Sequence, residues 1–159
     1  MKDRDVVAVK GIISAPRQTV TVGEMNETIL VRATRNTLLA EGEWLAAEMV
    51  GALQQPPPPD TSQPTSDWKR CGLIFGVPLD GKEYFARYQF DAMYQPRPII
   101  EAILTKLDSW ADPWRIAAWF HFPNGWISDG SSPVAPKDTL DRSDDVLEAA
   151  RKTRGSFAA

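Results

Sequence analysis

One apolar segment, DPWRIAAWFHFPN at residues 112–124, constrains the fold of this chain more than any other. Asp112 suits an N-cap, where it accepts hydrogen bonds from the free N–H groups of a first helical turn. Pro113 suits the first helical position because it has no N–H to leave unpaired. Between Pro113 and the closing Pro-Asn pair, Arg115 and His121 are the only strongly polar side chains. A helix that is apolar on most of its circumference is wrapped by other elements, so this segment is predicted to be the core helix of a C-terminal domain.

The composition is that of an ordinary globular protein. The chain has 159 residues, enough for one domain or two small ones, and its formal charge is −3. Such a mild charge gives no whole-chain indication of nucleic-acid binding, although a small basic patch is compatible with it. No apolar run is long enough to span a membrane, and the first residues lack the apolar core of a signal peptide. The single cysteine excludes an internal disulfide, so a cytoplasmic protein without membrane association is expected.

Helical spacing in the first half predicts two helices. Apolar residues recur at helical intervals over residues 24–38, with acidic residues early and basic residues late. After an interruption at Gly42, a second helix is expected over 43–53. Residues 54–66 include five prolines and are expected to form an exposed loop of polyproline character. The β-branched patches at 6–9 and 19–22 fit either short strands or an ordered tail.

A hairpin and three helices are expected in the second half. Residues 67–72 fit one or two helical turns, and strands at 73–77 and 83–90 are joined through an Asp-Gly pair, a good hairpin signal. The remaining expected elements are helices at 98–110 and 112–122, a Gly/Ser/Pro loop at 125–136, a single turn at 136–140, and a last helix from Ser143 that ends before Gly155.

Together these elements predict a mainly α (α+β) fold. The expected organisation is an N-terminal helix-turn-helix-like region at 1–54 and a Pro-rich loop at 55–66. A short helix, a small β-hairpin and a helical bundle-like domain follow at 67–159.

Four segments of the second half stand in a distinctive order: KEYFARYQFD, PRPIIEAILTKL, ADPWRIAAWFHFPN and SSPVAPKDTLDRSDDVLEAARKT. This series resembles the toxin-binding domain of the Xre/MbcA/ParS antitoxins, over roughly residues 66–154. In that family a Trp-rich helix ends in Pro-Asn, and a Pro-Leu turn leads into a closing helix rich in Ala and Arg. The matching positions here are residues 84–91, Trp114, Trp119, Pro123, Asn124, Pro136, Leu140, Val146, Leu147, Ala149, Ala150 and Arg151.

The resemblance implies a non-catalytic antitoxin that binds and neutralises a RES-domain toxin by occluding its active site. Such toxins consume NAD, or use it to modify a protein, and are encoded alongside their antitoxin. Members of the family often carry an N-terminal helix-turn-helix that represses their own operon. In this chain the helix at 43–53 and a short helix ending at 68–72 would supply it, with the Pro-rich segment in place of the family's tight turn.

The sequence offers few parts for catalysis. His121 is the only histidine, and it is interpreted as a structural residue that hydrogen-bonds a nearby carbonyl. Cys71 adjoins two cationic residues that would activate a thiol, but an ordinary semi-buried thiol is the favoured interpretation. One histidine and one cysteine fifty residues apart make no metal site. We therefore expect no enzyme, no cofactor and no metal.

A DNA-binding transcriptional regulator is the alternative to the antitoxin. Lys69 and Arg70, followed by a hairpin that carries Lys82 and Arg87, would make a small, degenerate winged helix-turn-helix. In that arrangement the helix enters the major groove and the hairpin contacts phosphates. Acidic residues at 67, 80 and 83 lie among these cations and weaken the local field. Operator DNA is thus a candidate partner.

Protein binding is the third kind of function that the residues indicate. Six tryptophans are a high count for this length, and tryptophan and arginine are common interface anchors. Trp126, between two glycines, is the candidate exposed anchor, and Asn124 precedes it. Arg151, Lys152 and Arg154 are candidate contacts at the end of the last helix, whereas the tryptophans of the helix at 112–122 are predicted to lie in the core. An orphan domain that acts by protein–protein interaction or homodimerisation is the remaining alternative.

Overall fold

The structure is a computed structural model that describes residues 22–108 and 110–158, with side chains at 30–108 and 110–153. It is an α+β protein, and about half of the described chain is helical. By compactness the chain divides into two units, Met1–Thr34 and Arg35–Ala159. The predicted strands or tail at 6–9 and 19–21 lie outside the described residues. No described helix is both long and apolar enough to cross a membrane.

The described elements occur in a simple order along the chain. They are α1 (Val22–Glu41), β1 (Trp44–Ala46), α2 (Ala47–Ala52), α3 (Gln63–Arg70), β2 (Val77–Leu79), β3 (Lys82–Ala86), a 3₁₀ turn (Arg87–Gln89), α4 (Pro98–Lys106), α5 (Pro113–His121), β4 (Asn124–Asp129), β5 (Ser132–Val134), a second 3₁₀ turn (Pro136–Asp138) and α6 (Ser143–Ala158).

A three-stranded antiparallel sheet follows α1. Its strand order is β1-β3-β2, with Trp44 opposite Ala86 and Val77 opposite Tyr84. The predicted helix at 43–53 is therefore wrong in its first part, because Trp44–Ala46 pairs with β3 and only Ala47–Ala52 is helical. A hairpin forms around the predicted Asp-Gly turn, but its first strand was predicted wrongly at 73–77 and lies at Val77–Leu79, and its second strand ends at Ala86, before the 3₁₀ turn. Its turn uses two positive φ angles, 52° at residue 80 and 80° at residue 81, which an Asp-Gly pair adopts at little cost.

The Pro-rich segment is shorter than predicted. Helix α3 already begins at Gln63, because a proline in the first turn needs no hydrogen-bonded N–H. Most of the preceding residues, 55–60, are exposed as predicted. The loop nevertheless packs closely on α2, since a Cβ added at Gly51 would lie 1.7 Å from the backbone oxygen of Thr61. Only glycine at this position allows the two segments to approach so closely.

The C-terminal helices form as predicted at their N-terminal ends. Asp112 caps α5 by accepting a hydrogen bond from the Trp114 N–H at 3.0 Å. The predicted loop at 125–136 is wrong, because β4 and β5 form a second hairpin anchored by the buried Ile127. The predicted end of the last helix before Gly155 is also wrong. A glycine inside a helix costs only about 1 kcal/mol, and α6 continues through it to Ala158.

Two hydrophobic clusters hold Arg35–Ala159 together. The larger one surrounds α5 and includes Trp114 and Trp119, which confirms their predicted place in the core. The smaller one lies beneath α2 and α3 and is formed by buried residues Val50, Ile74, Phe85 and Phe90. Phe75 belongs to the larger cluster and stacks on Phe120 with ring centroids 5.6 Å apart. The buried amide of Gln89 accepts from the Phe75 N–H at 2.8 Å and donates to its carbonyl oxygen at 2.9 Å.

Candidate functional site

The first candidate surface, here called the α3–hairpin surface, consists of Gln63, Ser66, Lys69 and Arg70 on α3 with Lys82 on β3. All five residues are exposed. Lys69 Nζ lies 2.6 Å from Glu83 Oε2, so an ion pair ties α3 to the hairpin. This contact places α3 beside the hairpin.

The four predicted DNA-binding cations have different environments. Arg70 is paired with Asp67 on its own helix, with 2.9 Å between Nη2 and Oδ1. Arg87 donates to the Phe90 carbonyl oxygen, and its guanidinium lies 4.3 Å from the ring centroid of a tyrosine, so it acts as a structural brace. Lys82 has no hydrogen-bond or ion-pair partner among the described residues. Of the three exposed cations on α3 and the hairpin, Lys69 and Arg70 are thus paired with carboxylates, and Lys82 is not.

The second candidate surface, the Trp126 surface, comprises Asn124 and Trp126 on β4 with Lys152 on α6. Trp126 is 53% exposed, which is high for a tryptophan. Its backbone N–H donates to Asn124 Oδ1 at 2.8 Å, so the asparagine shapes the strand beneath it. The Lys152 ammonium lies 5.2 Å from the Trp126 ring centroid, a cation–π distance. The structure thus brings together three of the five residues predicted to bind a partner.

The other two predicted partner-binding residues differ from these three. Arg151 is exposed and paired with Glu148 on the same helix. This hydrogen bond lowers the pKa of the Glu148 carboxyl below its ordinary value. The side chain of Arg154 lies outside the described side chains. Glu148 thus pairs with Arg151 and also lies 3.9 Å from Lys152 Nζ, so the charges of both cations are partly balanced within α6 and Lys152 is held less closely.

An apolar cleft of about 500 Å³ adjoins the Trp126 surface. Its walls include Trp110, Trp119, Phe122 and Trp126, and Arg115 lies at its side with its guanidinium 4.2 Å from the Trp110 ring centroid. From the sequence, Trp110 and Phe122 were not predicted to belong to a site, because their helical spacing is typical of residues buried in a core. The clustering of aromatic residues around the Pro-Asn end of α5 was the one available signal.

A third feature, here called the Tyr88 cleft, has a volume of about 450 Å³ and lies between the three-stranded sheet and α5. His121 Nε2 is 2.7 Å from Glu41 Oε1 at its edge. The interpretation of His121 as bonded to a carbonyl was therefore wrong, since its partner is a carboxylate on α1. Tyr88 lines the cleft, and its buried hydroxyl has no hydrogen-bond partner among the described atoms. Burial raises the pKa of this hydroxyl well above its ordinary value.

Two expectations about reactive residues can be compared with the structure. Cys71 is exposed, so its interpretation as a semi-buried thiol was wrong. It is the residue directly after α3, and its backbone caps the C-terminal end of that helix. Among the described residues no group of three or more His, Cys, Asp or Glu side chains is arranged to hold a metal ion.

Comparison with known proteins bears on the fold alone. No protein-family model matches the sequence, and no curated protein matches it. The NMR structure of Rv2175c is similar, with a TM-score of 0.58 and 20% sequence identity. The similarity covers 71% of this chain and 82% of that one. The mixed helix-and-sheet fold therefore occurs in another solved protein.

Proposed function

We propose that this protein is a DNA-binding regulator in which α3 enters the major groove and the β2–β3 hairpin contacts the phosphate backbone. The observation that carries the proposal is the order of elements over residues 35–86. The end of α1 is followed by a strand, two helices and two further strands, and the first strand pairs with the third. A winged helix-turn-helix has the same order of elements, and this similarity supports the proposal that the hairpin acts as a wing.

The exposed residues of α3 support the proposal by their chemistry. Gln63 and Ser66 face solvent in its first half, and Lys69 and Arg70 do so in its second half. Glutamine and serine side chains hydrogen-bond base edges, and lysine and arginine pair with guanine or with phosphate. Their common exposure on one helix favours a surface that reads a groove over a helix that only packs.

The ion pairs on this surface set the strength of binding that we expect. Lys69, Arg70 and Lys82 are the exposed cations of α3 and the hairpin. While Lys69 stays paired with Glu83, contacts of Arg70 and Lys82 with phosphates give a slope of about −1.8 for the logarithm of the binding constant against the logarithm of the salt concentration, and contacts of all three cations give about −2.7. Binding is therefore expected to be moderate, because Lys69 and Arg70 must first leave their carboxylates, and to weaken as the salt concentration rises.

The test is a fluorescence anisotropy titration with a labelled duplex taken from the DNA upstream of the protein's own reading frame. A shuffled duplex of equal composition separates sequence-specific from general binding. Lys69→Ala with Arg70→Ala is expected to reduce affinity at least tenfold, at about 1 kcal/mol for each lost contact. Lys106→Ala, an exposed cation at the end of α4, is the matched control and should retain affinity. Equal binding by the double variant and the control would overturn the proposal.

A second candidate function, binding of a partner protein, is favoured by the Trp126 surface. A half-exposed tryptophan beside a lysine and an apolar cleft has the composition of an interface centre. By the resemblance to the Xre/MbcA/ParS antitoxins, the partner would be a RES-type toxin that this protein neutralises. A regulator with both surfaces would bind its operator through α3 and its toxin through α6 and β4. A homodimer through the same surface remains the other prediction.

Co-expression with the product of the adjacent reading frame, followed by purification through one partner, tests the second candidate. Trp126→Ala with Lys152→Ala is expected to abolish recovery of the complex. Met93→Ala removes an apolar side chain that is 58% exposed elsewhere and should leave recovery unchanged. If the adjacent frame encodes a RES-domain protein and no complex forms with the wild type, the antitoxin function is refuted. The molar mass of the isolated protein in solution decides the homodimer.

A further inference from the structure

The Tyr88 cleft has a floor built from small residues. Ala86 on β3 and Ala117 on α5 are each 1% exposed, and both line the cleft together with Gly42. A Cβ added at Gly42 would lie 2.7 Å from Trp44 Nε1 and 2.8 Å from the Leu38 carbonyl oxygen. The cleft is open because larger side chains are absent at its base, and the glycine is required by the packing beside it.

The walls of the cleft are aromatic and its rim is rich in carboxylates. Trp44, Tyr88 and the His121 ring contribute to the walls. Glu41, Glu43 and Asp138 lie at the rim with a single lysine, Lys137, whose Nζ is 3.2 Å from Asp138 Oδ1. Glu43 has no side-chain hydrogen bond or ion pair among the described residues.

The neighbouring arginine forms no ion pair with these acids among the described residues. Arg87 lines the cleft, but its guanidinium is held at the Phe90 carbonyl oxygen and over the Tyr94 ring. The lining of the cleft therefore carries three carboxylates, one lysine and one arginine, a formal excess of one negative charge, and His121 is bonded to one of the carboxylates, Glu41. An anionic ligand would face this excess of negative charge, whereas a cation would relieve it.

We propose that the Tyr88 cleft binds a small organic ammonium ion with an apolar body. Aromatic side chains attract a cation to their faces, and carboxylates at the rim accept hydrogen bonds from the ammonium group. The small-residue floor leaves room for the apolar part, as is usual in sites for small molecules. The site lies in Arg35–Ala159 and does not depend on the DNA-binding function for its argument.

Three probes of one size test the proposal on the full-length protein by two-dimensional amide NMR. They are phenethylamine, its neutral isostere 2-phenylethanol, and the anion phenylacetate. We expect saturable shifts of the Trp44 indole N–H signal, assigned with Trp44→Phe, by phenethylamine, and at least fivefold weaker effects from the other two. The Trp126 indole signal, outside the cleft, should not move.

Paired variants then locate the charge that selects the cation. Glu43→Gln is expected to weaken phenethylamine binding at least threefold and to leave thermal stability unchanged, because the Glu43 side chain has no hydrogen-bond or ion-pair partner among the described residues. Glu48→Gln makes the same charge change on the exposed side of α2 and should bind as the wild type does. Equal responses to all three probes, no response at millimolar probe, or equal affinity of the two variants would each overturn the proposal.

Discussion

The ion pair between Lys69 and Glu83 permits a prediction with an unusual sign: removal of an acidic residue should strengthen DNA binding. The two side chains are 50% and 33% exposed, so the pair contributes at most about 1 kcal/mol to stability. Glu83→Gln should therefore fold normally. Gln has nearly the same shape as Glu. The side chain of residue 83 packs against Gly76, which leaves room for it, since a Cβ added at Gly76 would lie 2.7 Å from Glu83 Oε2.

The magnitude follows from counterion release. Once its carboxylate partner is removed, Lys69 contacts a phosphate without first losing an ion pair. One additional full phosphate contact increases the salt slope by about 0.9, which corresponds to about fivefold tighter binding, or about 1 kcal/mol, at about 0.15 M salt. Removal of a negative charge facing the phosphates acts in the same direction. The expected variant binds about fivefold more tightly and has a steeper salt dependence.

The assay is the same anisotropy titration, repeated at four salt concentrations for the wild type and for two variants. Glu101→Gln is the matched control, because it makes the same charge change at an exposed position on α4. The control should leave both affinity and slope unchanged. Unchanged or weaker binding by Glu83→Gln would refute the assignment of α3 and the hairpin to DNA.

Three further predictions concern the fold that presents these surfaces. Gln89→Met leaves the Phe75 N–H and carbonyl oxygen unpaired in the core. In urea denaturation the variant should have a free energy of unfolding lower by about 2 to 4 kcal/mol. A loss under about 1 kcal/mol would mean that the Gln89 amide contributes little to stability. Tyr88→Phe removes a buried hydroxyl without a partner and should maintain or raise stability by about 1 kcal/mol. Because the pKa of this tyrosine is raised by folding, the wild type should lose stability as the pH rises above about 10, and the variant should lose less; an equal loss would contradict this. Gly51→Ala should destabilise by about 2 kcal/mol or more through its clash with Thr61, as measured by thermal unfolding, and a neutral result would show that the loop can move away.

The elements that could be predicted from sequence are those with local signals. The Asp-Pro start of α5 fixes a cap and a first turn within three residues, and both occur as expected. The Asp-Gly pair at 80–81 likewise fixes the first hairpin through its positive φ angles. Each of these signals acts over a few neighbouring residues, so no knowledge of the rest of the fold is needed.

The elements that could not be predicted depend on distant partners. Trp44–Ala46 contains no helix-breaking residue. It forms a strand because its backbone pairs with β3, which lies some forty positions later in the chain. The hairpin of β4 and β5 has the composition of a loop, and it forms where Ile127 is buried against the core. Tertiary packing overrides local preference at both places.

The candidate sites show the same division. The proximity of Lys69 and Arg70 to the hairpin could be predicted, because a few residues separate the two elements. The contact of His121 with Glu41 joins residues 80 positions apart, and no pattern in the sequence indicates it. The Tyr88 cleft could not be predicted for this reason, since its walls come from α1, the sheet, α5 and the second 3₁₀ turn.

The most direct test of the central claim is an amide NMR titration of the protein with the upstream DNA duplex. If α3 and the hairpin form the DNA-binding surface, signals of residues 62–72 and 79–83 should shift in proportion to bound DNA, and those of 124–134 should stay unchanged. Shifts confined to β4, β5 and α6, or no shifts at about 0.05 M salt, would contradict the claim.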